Sequence, residues 1–91
     1  MEYVGEIPIY PSLLRRHDLT RTHVILYGVI VALHRNGTRP THAVMRYLSD
    51  IRDERGLRRM LLHLEERGLI RRINRPNRAL VAIEPLLELT G

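Results

Sequence analysis

The longest apolar run of the chain, VILYGVIVAL at residues 24–33, predicts the first long helix. Thr20 precedes the run as a good N-cap, and Gly37 follows it as a residue suited to the left-handed position after a helix. The interval between these two residues is longer than a usual β-strand, which favours a helix over Arg21–Arg35. The run is far shorter than the roughly 20 residues of a membrane-spanning helix, so we assign it to a core.

Two apolar stripes lie along this helix when its residues are placed at intervals of about 100°. The first stripe consists of Leu26, Val29, Ile30 and Leu33. The second stripe consists of Val24, Gly28, Val31 and Ala32. A helix with two apolar stripes must be covered twice, once by the domain core. The second cover is either an N-terminal arm, residues 1–18, or a second copy of the chain, and Gly28 would allow close approach.

The sequence pattern of the arm predicts its secondary structure less strongly than the apolar run predicts the first long helix. Residues 6–10, EIPIY, alternate in character and contain Pro8, which indicates a short edge strand or an extended segment. Pro11 then permits one short helical turn over Ser12–Arg16. The first residues include two glutamates and no basic segment, unlike a secretory signal peptide, so we expect a cytoplasmic protein.

Two further helices are predicted in the middle of the chain. Thr41 is a good N-cap for a short helix that ends near Leu48. After a polar turn, Asp53 caps a third helix over Glu54–Arg67, and Gly68 ends it. The residues of this third helix that share an apolar face are Leu57, Met60, Leu61 and Leu64.

Two short segments after Gly68 have strand character. They are Leu69–Ile73 and Ala79–Ile83, and the turn-forming sequence NRPNR separates them. This pattern predicts a β-hairpin with a five-residue loop over residues 74–78. Residues 84–91 remain as a C-terminal tail, in which leucines favour one more helical turn.

The stretch LRRMLLHLEERGLI at residues 57–70, followed by an arginine-bearing hairpin, resembles the end of the recognition helix and the start of the wing in winged helix-turn-helix DNA-binding domains. The segment LTRTHVILYGVIVAL at residues 19–33 is similar to the first helix of that family. The resemblance covers about residues 19–83. It implies a small α+β winged-helix domain, residues 1–91, with a three-helix core containing the helix-turn-helix, a C-terminal β-hairpin wing and a short extended arm.

The charge of the chain fits a polyanionic partner. Among 91 residues there are fifteen basic and ten acidic ones, which gives a net charge of +5, and every basic residue is arginine. The planar guanidinium group suits bidentate contacts with phosphates and guanine edges, although compositional bias of the source would also give arginine without lysine. Residues 67–83 contain five arginines and no acidic residue, which favours a role for the wing.

The resemblance and the amphipathic pattern of the third helix together predict a DNA-binding surface. Arg55, Arg58 and Arg59 lie opposite the leucine face of the third helix, where the family reads the major groove. Glu54 either accepts from a cytosine or stabilises the helix N-terminus. Backbone amides near Thr41 and His42 are suited to a phosphate, and the wing to phosphates or the minor groove. The full predicted set is Thr41, His42, Glu54, Arg55, Arg58, Arg59, Arg72, Arg75, Asn77 and Arg78.

The predicted function is sequence-specific binding of double-stranded DNA, as a transcriptional regulator that acts as a homodimer. The predicted dimer interface is Val24, Gly28, Val31, Ala32, Leu86, Leu87 and Leu89. Two alternatives remain open: a winged-helix protein-interaction or replication-initiation module, and a non-specific duplex binder.

Catalytic and metal chemistry find little support in the sequence. The chain has no cysteine, which excludes disulfides, thiolate zinc sites and cysteine nucleophiles. Its five histidines show no H-x3-H spacing, and it has no phosphate-binding loop of the G-x-x-x-x-G-K-[ST] type. We therefore expect no enzymatic activity, no metal, no cofactor and no membrane partner.

Overall fold

The computed structural model describes residues 6–73 and 82–86. Within these residues it contains four helices and a two-stranded antiparallel sheet, which makes a small α+β domain. The elements in chain order are α1 (Pro11–Leu14), α2 (Arg21–Arg35), α3 (His42–Ser49), α4 (Glu54–Glu66), β1 (Ile70–Ile73) and β2 (Ala82–Pro85). In the sheet, Ile70 lies opposite Pro85 and Ile73 lies opposite Ala82.

Helix α2 occupies the predicted interval and forms the centre of the core. Thr20 caps it, because its hydroxyl oxygen accepts the backbone N–H of His23 at 3.3 Å. After the helix, Gly37 adopts a φ of 70°, which a residue with a Cβ rarely tolerates. Elements α1, α3, α4 and β2 all contact α2. Its first stripe is fully enclosed, and no residue of that stripe exposes more than 2% of its surface.

The N-terminal arm lies against Gly28, in the second stripe of α2. Residues 6–10 form neither helix nor strand, and the backbone oxygen of Pro8 lies 2.1 Å from the position that a Cβ on residue 28 would occupy. Tyr10 packs its ring edge against Tyr27, with the centroids 5.7 Å apart. Of the two covers considered, the arm is therefore the one present.

This packing corrects part of the predicted dimer interface. Val24, Val31 and Ala32 expose at most 5% of their surface, and Gly28 is in contact with the arm. These four residues are buried within one chain and are not a free stripe for a second copy. Leu86 is 46% exposed, while Leu87 and Leu89 lie outside the described residues.

Several element boundaries differ from the predicted ones. Helix α1 begins at Pro11 and ends at Leu14, helix α3 continues to Ser49, and helix α4 ends at Glu66. Strand β1 begins at Ile70. These shifts of one or two residues are of the size expected at the ends of helices and strands, where local sequence defines the boundary least.

Strand β2 differs more. It ends at Pro85, two residues beyond the predicted end at Ile83, so Glu84 belongs to the sheet and not to a tail. A proline is tolerated at a strand end because it removes only a terminal donor. Leu86 extends the pairing, since its N–H donates to the carbonyl of Leu69 at 2.9 Å. The predicted loop, residues 79–81 and the predicted helical turn after Leu86 lie outside the described residues.

None of the helices in the described ranges combines the length and the apolar character required for a membrane crossing.

The arm contact gives a stability prediction at Gly28. A Gly28→Ala substitution should lower the free energy of unfolding by about 1–3 kcal/mol, because the new methyl group meets a backbone oxygen that cannot rotate away. Helix propensity alone would give the opposite sign, a gain of about 1 kcal/mol. Urea unfolding followed by circular dichroism measures the difference, and a gain in stability would contradict the position of the arm.

Candidate nucleic-acid interface

Helices α3 and α4 are joined by a tight turn that the local sequence dictates. Asp50 takes the left-handed conformation after α3, with φ 56° and ψ 43°, which aspartate tolerates better than most residues. Ile51 is 9% exposed and anchors the turn in the core, while its N–H donates to the carbonyl of Arg46 at 3.0 Å. Asp53 then caps α4 by accepting the N–H of Gly56 at 2.6 Å.

The side chain of Arg46 fastens this turn to α3. Its Nε donates to the carbonyl of Ile51 at 3.4 Å, and its Nη2 donates to the carbonyl of Arg52. Sequence reasoning did not single out Arg46. The available signal was a long donor side chain in the last turn of α3, just before a turn whose carbonyls need partners.

Helix α4 has the two faces that its sequence predicted. Leu57, Leu61 and Leu64 are 0% exposed and pack into the core, and Met60 is partly buried beside them. On the opposite face, the side chains of Arg55, Arg58 and Arg59 are exposed, together with Leu62 at 47%. The helix therefore presents a charged face to solvent while three leucines fix its orientation.

A carboxylate joins the N-terminal ends of α3 and α4. Glu54 Oε2 lies 2.6 Å from His42 Nδ1 and 3.3 Å from Arg58 Nη2. The hydrogen bond with His42 is the main reason why the pKa of Glu54 is below its usual range. All three groups were predicted to contact DNA separately, but the structure places the Glu54 carboxylate in contact with both of the others. Glu54 is thus already engaged as an acceptor, in addition to its favourable position at the helix start.

Arg55 and Arg59 are the exposed arginines of α4 that form no ion pair with any described residue. They are four residues apart, so they lie on one side of the helix, about 6 Å apart along its axis. Thr41 precedes α3 as its N-cap, and its hydroxyl oxygen accepts the N–H of Val44 at 3.1 Å.

The two arginines of β1 form ion pairs with acidic residues from other elements. Arg72 binds Glu65 of α4 through two nitrogens at 3.0 and 2.8 Å. Arg71 binds Glu84 of β2 at 3.1 Å. The absence of acids within residues 67–83 was therefore a misleading signal, because the compensating carboxylates lie outside that range.

This pairing separates Arg72 from the other predicted DNA-binding residues. Its contact with Glu65 braces the sheet against α4, and its side chain is 29% exposed. Arg75, Asn77 and Arg78 lie outside the described residues. The predicted residues that the structure brings together are therefore those at the starts of α3 and α4.

Comparisons with known proteins give no match. No protein-family model, curated protein or solved structure matches this chain. The function is therefore inferred from the surface itself.

The fastening of the turn leads to a second stability prediction. Arg46→Ala should lower the free energy of unfolding by about 1–2 kcal/mol, because two carbonyls lose a charged donor. Arg39→Ala removes an exposed arginine without a described ion-pair partner and should change stability by less than about 0.5 kcal/mol. Thermal unfolding of both variants checks the pair, and equal effects would show that Arg46 contributes only its charge.

Proposed function

We propose that this chain is a winged-helix domain that binds double-stranded DNA sequence-specifically through α4 and regulates transcription. The observation that carries the proposal is the pair Arg55 and Arg59, exposed on one side of a helix whose other side is anchored by buried leucines. A rigid helix with unengaged guanidinium groups fits a major groove about 12 Å wide.

The two arginines have the chemistry for base reading. A guanidinium group can donate to guanine O6 and N7 together, a contact worth about 1–3 kcal/mol of discrimination against another base. Because Arg55 and Arg59 form no ion pair with a described residue, such contacts would break no described ion pair. The tight turn before α4 supports the same role, because two contacting helices joined by a short turn are a feature of helix-turn-helix domains.

Arg58 has a different role in this proposal. Its ion pair with Glu54 is at 3.3 Å and its side chain is 67% exposed, so the pair is of the weak kind found on helix surfaces. A phosphate oxygen would replace the Glu54 carboxylate at little cost. Arg58 would then contact the DNA backbone, and Glu54 would remain bound to His42.

Local charge supports a polyanionic partner on this surface. Residues 39–59 contain six arginines and three acidic residues. Asp53 is occupied as the cap of α4, and Glu54 is bound to His42. Positive potential at this surface would speed encounter with DNA and make binding strongly dependent on salt.

The wing and the dimer extend the proposal beyond the described surface. We assign Arg75, Asn77 and Arg78 to phosphates or the minor groove on the basis of the sequence alone. A homodimer would have to use surface other than the second stripe of α2, and Leu86 is the exposed candidate among those predicted interface residues that the structure describes. Light scattering of the full chain at micromolar concentration measures the oligomeric state directly.

Salt-dependent binding tests the function. A selection from a random duplex pool first identifies a preferred site, and affinity for that site and for random duplex is then measured over a salt series. Arg55→Ala and Arg59→Ala should each weaken binding to the preferred site by roughly 5- to 150-fold and should affect random duplex much less. Arg58→Ala should weaken both duplexes alike and reduce the salt slope by about 0.9.

Arg21→Ala is the matched control, because it removes an exposed arginine at the start of α2. If Arg21→Ala and Arg59→Ala weaken binding equally, the arginines of α4 contribute only their charge to DNA binding and make no base contacts. Equal losses for both duplexes in every variant would favour the non-specific binder. Absence of binding at low salt would contradict the proposal and favour a protein-interaction module.

A further inference from the structure

Two histidines stack where the start of α2 meets the last part of α4. The ring centroids of His23 and His63 are 4.6 Å apart, and the ring planes are tilted by 34°. His23 is the third residue of α2, and His63 belongs to the last turn of α4. Neither ring contributes to the candidate nucleic-acid interface, so this histidine pair has a role that the proposed function leaves unexplained.

The hydrogen bonds of His23 require its neutral form. Its Nδ1 accepts the backbone N–H of Thr20 at 3.0 Å and lies 2.8 Å from the Thr20 hydroxyl oxygen. A backbone N–H can only donate, so Nδ1 must carry a lone pair. The two residues thus form a reciprocal cap of α2 in which histidine occupies the position usually taken by glutamate or glutamine. A proton on Nδ1 would set two donors against each other.

His63 connects the same cluster to the arm. Its Nε2 lies 2.6 Å from the backbone carbonyl oxygen of Asp18, which can only accept, so Nε2 carries a hydrogen. A second proton would enter at Nδ1 and leave this bond intact. It would, however, place a positive charge on the ring that stacks against His23.

The nearby charges offer little compensation for two protonated rings. The Asp18 carboxylate is the acid at this cluster, and Arg16 already binds it through two nitrogens at 2.9 and 2.6 Å. Arg67, just after α4, approaches the same carboxylate at 3.6 Å. Two arginines therefore share the negative charge that would otherwise stabilise an imidazolium group.

We propose that His23 and His63 form an acid-sensitive clamp that fastens the arm, the start of α2 and the end of α4 together only while His23 is neutral. Protonation of His23 removes the acceptor for Thr20 N–H and places a positive charge against the stacked ring of His63. The stack between the two rings is then weakened, and the capped start of α2 loses its reciprocal hydrogen bond.

The sign of the pH dependence follows from the folded-state titration. Burial, followed by the proximity of His63, holds the pKa of His23 below its ordinary value of 6.5. As the pH falls below that value, the unfolded chain takes up the proton more readily than the folded chain does. The stabilisation is therefore complete above about pH 6.5 and is lost as the pH falls through the folded-state pKa.

A pH series on the full chain tests the clamp without DNA, so its outcome is independent of the proposed function. Between about pH 7.5 and about pH 5.5, the melting temperature should fall by about 4–8 °C, the effect of losing one helix cap in a domain of this size. His23→Gln supplies an acceptor at every pH and should abolish most of this fall. His34→Gln changes an exposed histidine at the other end of α2 and should retain it.

NMR titration of the unmodified chain provides a readout that needs no variant. The imidazole of His23 should titrate below 6.5, and the Thr20 amide signal should move with the same midpoint. Titration of His23 with a pKa at or above its ordinary value would overturn the proposal. A Thr20 amide signal that does not change as His23 titrates would do the same. So would a His23→Gln variant that folds and keeps the acid-induced loss of the original chain.

Discussion

The close contact between Pro8 and Gly28 is the constraint on which the rest of the structure depends. Helix α2 is apolar on two sides, and a chain of this size can enclose such a helix only by covering both. Because residue 28 has no side chain, the arm backbone lies directly against the helix and seals the second side. Elements α3, α4 and β2 also contact α2 and complete its enclosure.

This division of the core determines which surface remains for a partner. Helices α3 and α4 each keep an exposed face, and the turn between them is fixed by Ile51 from the inside and by Arg46 from the outside. Three leucines then set the rotation of α4 about its own axis. The outward position of Arg55 and Arg59 is thus a consequence of core packing, which is why a surface built from flexible side chains has a defined orientation.

Sequence reasoning predicted what local chemistry determines. The caps Thr20, Thr41 and Asp53 each accept a backbone N–H as expected, and the helices that they start were placed correctly to within a residue or two. The leucine face of α4 was also predictable, because helical spacing alone assigns it. These features depend on neighbours in sequence, so one chain contains enough information to place them.

Contacts between distant segments were not predictable. The choice between arm and second copy over Gly28 depends on the path of the arm, and the pairing of Arg72 with Glu65 depends on how β1 leaves α4. The local charge of residues 67–83 suggested unpaired arginines, yet Glu84 reaches Arg71 across the sheet. Charge counted along a sequence does not indicate charge in space when the compensating acids come from other elements.

Mapping the DNA-contacting surface residue by residue is the most direct examination of the role given to α4. Amide signals of the isotopically labelled chain would be followed by NMR while a duplex is added at low salt. The largest changes should fall on the turn after α3 and on the first two turns of α4, around Arg55 and Arg59, with little change along α2. Changes concentrated on α2 and the arm, or no changes at all, would contradict the account of α4 as the DNA-binding helix.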